Sequence, residues 1–425
     1  MQAKYRVQAI YHLRMDSKAS DGGGVVLLEM PEDVLIGLDF TVWKPDDVDC
    51  FCISGILNGP HFLSWERPEK GLKEGEMLWL RRRQVVVYKW DRGLELFLRV
   101  NDEDEVARYQ SGHDDLSLLR KAVIYTSPTE RTWHALTYAI VPPIIRLVQS
   151  ERLLQHKRLR EYDTRPADQH QPHGQGSQPV KNPVVGSDEN DDTDGEDEFP
   201  YSENRAKTGS APESCDERLV GLLAQGELDW TNVPPKDVKQ ASDPRLVSQS
   251  ALNSSGRVAT WIDWCYSRAK EAKMHPVDIH TWEMVADTCQ LSPSQTLWLG
   301  ELQLAYITFL LGANLGAFEH MKQYYLICPF ADDLFQSRLG YHWMLNLTLQ
   351  LQQTPDDFVK ADITKGNFMI AAALESIEFA NELEQAPGDV KSQTQALGDM
   401  VTKKFGMSIL ELTELQADRI TVTDE

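Results

Sequence analysis

The sequence predicts an α+β protein of more than one domain. A β-rich, sandwich-like N-terminal domain with flanking helices is expected over residues 1–160, and a disordered acidic linker over 163–214. A helical domain follows over 215–387, then a last helix and an acidic C-terminal tail over 388–425. Three observations carry this. Short β-rich runs broken by turn residues fill the first hundred positions. Apolar periodicity then vanishes around a dense acidic run. Beyond it, apolar residues recur every three or four positions behind helix-start signals.

In the first region Val25–Met30 follows Gly22-Gly23-Gly24 and stops at Pro31, and Ile36–Val42 and Phe51–Ile56 are further short runs. Asn58-Gly59-Pro60 marks a turn before His61–Trp65. Met77–Leu80 and Val85–Trp90 flank Arg81-Arg82-Arg83-Gln84, which reads as a polar hairpin tip, and Glu95–Val100 offers one more strand. Strands this short and this frequent predict a sandwich or open barrel.

Helix signals take over after Asp102. Ser127-Pro128-Thr129-Glu130 supplies an N-cap, a proline at the first helical position and a box-closing glutamate. The helix it opens carries Trp133, Leu136, Ile140, Ile144 and Leu147, and Pro142-Pro143 should kink or split it. Across 163–214, polar residues lead into Asp188-Glu189-Asn190-Asp191-Asp192-Thr193-Asp194-Gly195-Glu196-Asp197-Glu198. Such a segment buries too little apolar surface to offset its ordering entropy. Thr193, with Glu196 three residues on, fits an acid-directed kinase; a plain spacer explains the run equally simply.

The clearest helix starts at Ser292-Pro293-Ser294-Gln295, presents Leu299, Leu302, Tyr306, Phe309 and Leu310 on one face, and ends near Gly312. A second follows Asn314 with Leu315, Phe318, Met321, Tyr325 and Leu326, so the two should form an antiparallel αα-hairpin. Leu302, Phe309 and Phe318 are expected in the core. Leu339–Gln352 and Phe368–Leu383 are further helices, with one more before Phe405 and an acidic tail after it.

A net charge of −22 disfavours capture of nucleic acid by a broad basic face, so no direct nucleic-acid binding is expected. The acidity points to protein partners, perhaps basic ones, or serves solubility alone. No membrane association is expected: Leu297–Phe318 is interrupted by Glu301, Gln303, Gly312 and Asn314, and Met1–Met15 lacks a signal-peptide core. Six scattered cysteines fit buried free thiols in a reducing compartment, with no second pair at zinc spacing after Cys50 and Cys52.

Motifs for catalysis or cofactors do not emerge. Gly312-Ala313-Asn314-Leu315-Gly316 lacks a phosphate-loop lysine, Gly22–Gly24 precedes a strand as a flexible lead-in, and neither a nucleophile elbow nor His-Glu-x-x-His occurs. His320 beside Glu319 reads as a structural histidine, and His113-Asp114-Asp115 as surface polarity. Catalytic, cofactor and metal residues are therefore all expected to be none. Arg152, Lys157, Arg158 and Arg160 either dock an acidic partner or form a solvated helix end. Trp261 and Trp264, three apart, belong to a core or a protein interface more naturally than to a base-stacking platform with Tyr266.

Four collinear stretches resemble the AAR-two family of cistron-splicing factors. They are Val25–Pro31 with Ile36-Gly37-Leu38-Asp39-Phe40 and Trp43; Gly59-Pro60-His61-Phe62-Leu63; Leu299-Gly300-Glu301-Leu302-Gln303-Leu304-Ala305 through Phe309–Gly312 to Ala317-Phe318-Glu319-His320; and Pro355-Asp356-Asp357-Phe358 with Asn367-Phe368 and Thr402-Lys403-Lys404-Phe405. The resemblance covers both expected folded domains and not the linker, and Gly406-Met407-Ser408 departs from the aromatic–acidic pair usual in the family. It implies a β-rich N-terminal domain, a VHS-like helical domain and no enzymatic activity. The implied partner is the large scaffold protein of the U5 snRNP, at its RNase H-like and JAB/MPN-like domains, held so that the helicase joins late, in nucleus and cytoplasm. The family's tail bridges the two scaffold domains, which places Arg419, Ile420, Thr421, Val422 and Thr423 as partner-binding candidates. Their alternation suits an added strand, and a frayed acidic end suits them equally. A reading from another class is a general helical adaptor in trafficking or complex assembly. A solenoid of that kind needs repeats, and no second copy of the Leu299–His320 unit is visible.

Overall fold

A computed structural model of the protein describes residues 22–70, 72–114, 122–126, 129–149, 228–234, 254–272, 274–360, 367–384 and 386–417. The first region builds two sheets. One has strand order β8-β7-β1-β4-β9, from β1 (Gly23–Leu28), β4 (Cys50–Ile56), β7 (Val85–Asp91), β8 (Leu96–Arg99) and β9 (Val123–Ile124). The other has order β3-β2-β5-β6, from β2 (Leu35–Leu38), β3 (Thr41–Trp43), β5 (Gly59–Arg67) and β6 (Leu72–Leu80). In the first sheet β1 runs antiparallel to β4 and parallel to β7; the second is antiparallel throughout.

Period-two alternation decides which way each side chain faces. Val25, Leu27, Ile53, Val86 and Tyr88 meet Ile36, Leu38, Leu63, Trp65 and Leu78 in one core between the sheets. On the outer face of the five-stranded sheet, Val26, Cys52 and Val87 pack with Val106 and Tyr109 of helix α1 (Glu103–Asp114). Phe62 and Met77 point the opposite way, out of the four-stranded sheet, and join the core of the helices. The chain is thus layered helix, sheet, sheet, helices.

Several expectations are corrected here. The run Ile36–Val42 is two strands, because Asp39 adopts a left-handed φ of 56° and reverses the chain between β2 and β3. Arg81–Gln84 is not a hairpin tip: β6 and β7 lie in different sheets, and this turn carries the chain from one to the other. It closes with Gln84 N–H donating to Arg81 O at 3.0 Å and Arg81 N–H to Gln84 Oε1 at 3.0 Å. Gly23 and Gly24 are buried residues of β1 and not a flexible lead-in. The neighbouring Gly22 sits so close to β4 that an added Cβ would lie 2.6 Å from the Gly55 backbone.

Pro142-Pro143 splits the expected long helix into α2 (Glu130–Thr137) and α3 (Pro142–Val148), with Pro142 at the first helical position. The N-cap of α2 is Thr129, whose side chain makes no capping bond, so the expected box from Ser127 is replaced by a plain start. The helical region continues with α4 (Ser254–Glu271), α5 (Pro276–Cys289), α6 (Pro293–Gly312), α7 (Leu315–Ile327) and the short α8 (Asp332–Phe335). It ends with α9 (Arg338–Gln353), α10 (Asp356–Lys360), α11 (Phe368–Glu382), α12 (Gly388–Phe405) and α13 (Ile409–Ala417).

Helix α6 opens with the expected capping box, Ser292 Oγ accepting from Gln295 N–H while Gln295 reaches back to Ser292 N–H. It is not one-faced: every residue from Thr296 to Thr308 is buried, as in a helix enclosed by neighbours. Helix α7 returns antiparallel to it. Tyr324 near its end donates to Trp298 O near the start of α6 at 3.1 Å, while Phe318 near its start stacks on Phe309. Leu315 and Leu326, expected on its inner face, are 71% and 50% exposed. The stretch after Phe405 is not all tail. Gly406 (φ 70°) ends α12, and a Ser408–Glu411 capping box starts α13, whose Leu412 is fully buried.

Residues 228–234 form an extended strap against the helices. It begins where α3 ends, with Asp229 N–H donating to Val148 O at 2.8 Å. Arg268 clamps it, donating to Asp229 O at 2.7 Å and to Thr231 Oγ1 at 2.9 Å.

Candidate interaction surface

The residues of the four motifs meet in a chain of joints. Asp39, at the β2–β3 reversal, accepts from Phe62 N–H at 2.9 Å, from the Tyr125 hydroxyl at 2.5 Å and from His61 Nδ1 at 2.8 Å. The other ring nitrogen of His61 donates to Leu57 O at 2.9 Å. Both nitrogens are thus bound to acceptors, and neither is placed to move a proton. Pro60 O accepts from the Trp133 indole at 2.9 Å, and Phe40 packs edge-on against the same ring. The second motif therefore ties the four-stranded sheet to α2.

The third motif seats α6 on the buried turn between α2 and α3. Gln303 Oε1 accepts from Ala139 N–H at 2.9 Å, and its amide donates to Asn346 of α9 at 2.9 Å. An added Cβ at Gly300 would sit 2.4 Å from Ala139 O, so only glycine allows this approach. At the far end of α6, Gly312 faces the Phe62 ring. Tyr138 of the same turn reaches α9: its hydroxyl donates to His342 Nδ1 at 2.6 Å, while His342 Nε2 donates to Cys289 O at 3.0 Å. Burial lowers His342 to about 4, which keeps it in the neutral form this pattern needs.

Glu301 is fully buried beside His320, the pair of residues closest to a catalytic constellation. Its carboxylate accepts from Thr231 N–H at 2.6 Å and from the Cys265 thiol at 3.2 Å, with His320 Nε2 at 3.3 Å. Burial pushes its pKa up, but the His320 ring and these donors outweigh that and hold the carboxyl below the usual range. Burial drives the Cys265 thiol well above its ordinary value, the opposite of an activated nucleophile. His320 stacks on Trp230 of the strap at 4.8 Å. The cluster fastens the strap to α6. Trp261, buried against Tyr324 and Trp298, belongs to the same core, while Trp264 and Tyr266 are half-buried.

The fourth motif gathers at one end of the helices. Lys404 donates to Thr354 O at 2.7 Å and pairs with Asp356 at 3.3 Å, and Asn367 caps α11 while donating to Phe358 O at 3.3 Å. Phe309, Phe318, Phe358 and Phe368 form an aromatic cluster with ring centroids 4.9–6.3 Å apart. Leu302 is fully buried as expected, but Phe309 and Phe318 are only half-buried, which corrects their placement in the core proper. The first and fourth motifs carry no unusual residue types, so sequence spacing alone could not show that these rings converge.

Arg419, Ile420, Thr421, Val422 and Thr423 lie outside the described residues, as do Arg152, Lys157, Arg158, Arg160 and Thr193; α13 brings the described chain to Ala417. The side chains of His113, Asp114 and Asp115 are also outside them. Among the described residues no group of three or more His, Cys, Asp or Glu is placed to hold a metal, and no helix is long and apolar enough to cross a membrane.

The fold and its joints define a class: a two-part body of β-sandwich and helices whose signature residues fix one part on the other. The comparisons name the family within that class. Residues 21–150 match the family model described as the AAR2 N-terminal domain, and residues 230–409 match the AAR2 C-terminal repeat region. The chain is similar to the proteins named AAR2 homolog of Homo sapiens and of Mus musculus, 22% identical to each over 400 residues, covering 91% of this chain and 89% of each relative. This chain belongs to the AAR2 family.

Proposed function

We propose that this protein is a non-enzymatic assembly factor of the U5 snRNP in pre-mRNA splicing. It binds the large U5 scaffold protein through the RNase H-like and JAB/MPN-like domains and delays helicase joining, upstream of tri-snRNP assembly, in nucleus and cytoplasm. The observation that carries this reading is that all four family stretches lie at joints of one body. A rigid two-part surface is what an assembly factor must offer, because binding by a preformed surface avoids the ordering cost of association. The absence of an activated nucleophile or a free proton carrier among the described joints is consistent with it. The segment Arg419–Thr423 follows α13 and supplements the folded surface as an added strand. Four or so backbone hydrogen bonds at a net ~1 kcal/mol each give only about millimolar affinity alone.

Pull-down of the purified protein with the scaffold's RNase H-like domain tests the assignment. A complex at micromolar concentration is expected, and its absence with both proteins folded refutes it. Removing Asp418–Glu425 should weaken that complex without abolishing it, and coincident binding curves would retire the strand.

A further inference from the structure

A cavity of about 160 Å³ opens where β6, the β6–β7 turn, β8, α3 and α5 converge. Three arginines line it: Arg81 from the turn, Arg99 from β8 and Arg146 from α3. Arg81 and Arg146 share a single carboxylate, Asp278, at 2.6 and 2.8 Å. Asp278 is 2% exposed, while the two guanidiniums are 44% and 49% exposed. One carboxylate thus anchors two cations and leaves their outward edges to solvent. Counting Arg99, three positive charges face one negative charge, a surplus of two on a chain whose net charge is −22. Glu76 also lines the floor, but its carboxylate accepts from the Tyr88 hydroxyl in the core between the sheets. Arg82 and Arg83 stand exposed on the same turn at the rim.

The cleft is held rigid. The Gln149 carboxamide pairs with both backbone groups of Met77, at 2.8 and 2.9 Å, so α3 cannot slide along β6. Guanidiniums fixed in position suit planar, bidentate contact with an oxyanion better than flexible ammonium groups do. A phosphate monoester carries about −1.5 to −2 charges, which matches the surplus. The volume admits a phosphate with the end of the side chain that bears it, and is too small for a nucleotide. The exposed Arg82 and Arg83 would then face acidic residues flanking that side chain.

We propose that this arginine cleft is an oxyanion site that takes a phosphorylated side chain borne on an acidic segment of a protein partner. Asp278 acts as its internal competitor, holding two of the arginines in place when the ligand is absent. This site does not depend on the U5 reading and differs from the tail contact.

The test uses the full-length protein and a fluorescein-labelled peptide, Glu-Glu-phosphoserine-Glu-Glu, followed by anisotropy. Binding should be at least tenfold tighter than for the unphosphorylated peptide and should weaken steeply with salt. Arg99→Gln should weaken it about tenfold, and Arg99→Lys should restore it only in part, because charge returns without the fork. Asp278→Asn should tighten it several-fold, a gain that structural damage cannot imitate. If Asp278→Asn fails to fold, the Arg99 pair decides alone. Unchanged affinity in the Arg99 variants overturns the proposal, as does loss of binding in a folded Asp278→Asn protein. Inorganic phosphate that competes as well as the phosphopeptide at equal concentration would assign the cleft to the free ion and overturn the protein-borne ligand.

Discussion

Replacing Gly300 by Ala inserts one methyl group where α6 meets the α2–α3 turn. That methyl would lie 2.4 Å from Ala139 O and 3.1 Å from Ala139 C, and both are backbone atoms that cannot rotate away. The turn must retreat by about 1 Å, which strains the bond from Ala139 N–H to Gln303 as well. Overpacking costs about 1–3 kcal/mol, and a buried hydrogen bond put out of line adds about 1. Alanine's better helix propensity returns about 1 kcal/mol. The net loss is about 2–3 kcal/mol, or a thermal midpoint lower by roughly 4–6 °C at about 2 °C per kcal/mol. Gly398 in α12 is the matched control, since an added Cβ there meets nothing within 4 Å. Gly398→Ala should stabilise by about 0.5–1 kcal/mol. Urea denaturation followed by circular dichroism measures both. Stabilisation by Gly300→Ala, or equal shifts for the two variants, would refute the close-approach argument.

Three further outcomes are expected. His342 binds a proton near 6.5 when unfolded but only near 4 when folded, so its contribution is intact above pH 6.5 and lost as pH falls toward 4. Denaturation at pH 7 and pH 5 should differ by about 2 kcal/mol on its account, and His342→Gln should flatten that difference. Phe309→Ala should cost about 2 kcal/mol and not the 3–5 of a fully enclosed phenylalanine, because the ring is only half-buried; thermal unfolding checks this. Deleting Asp188–Glu198 should leave the thermal midpoint and scaffold binding unchanged, since shortening so long a connection alters closure entropy by only ~0.1 kcal/mol. Loss of either property would show that the acidic run contributes to folding or binding.

Much of the fold was legible because local chemistry agreed with the final packing. Ser292-Pro293-Ser294-Gln295, Asn314 and Pro142-Pro143 each punctuate the chain where their side chains dictate. What escaped depends on contacts distant in sequence. Glu301 and Gln303 look like solvent-facing breaks in an apolar face until Thr231, Cys265, Ala139 and Asn346 arrive to bind them. Arg81–Gln84 has a hairpin's composition, yet nothing local says that the strands on either side join different sheets. The Ser408–Glu411 box was a readable helix start, hidden by the acidic composition around it. The arginine cleft had no sequence signature, for its three cations come from a turn, an edge strand and a helix.

The clasp between Asp229 N–H and Val148 O has an evolutionary consequence. The chain departs from the folded body and rejoins it at a single point, so whatever lies between exerts no leverage on the packing. Length and composition there are free to drift under mutation while the joints on either side stay under selection. The same point is a natural splice for protein engineering: a reporter domain whose own termini lie close together can be grafted between Val148 and Asp229 without asking any helix or strand to move.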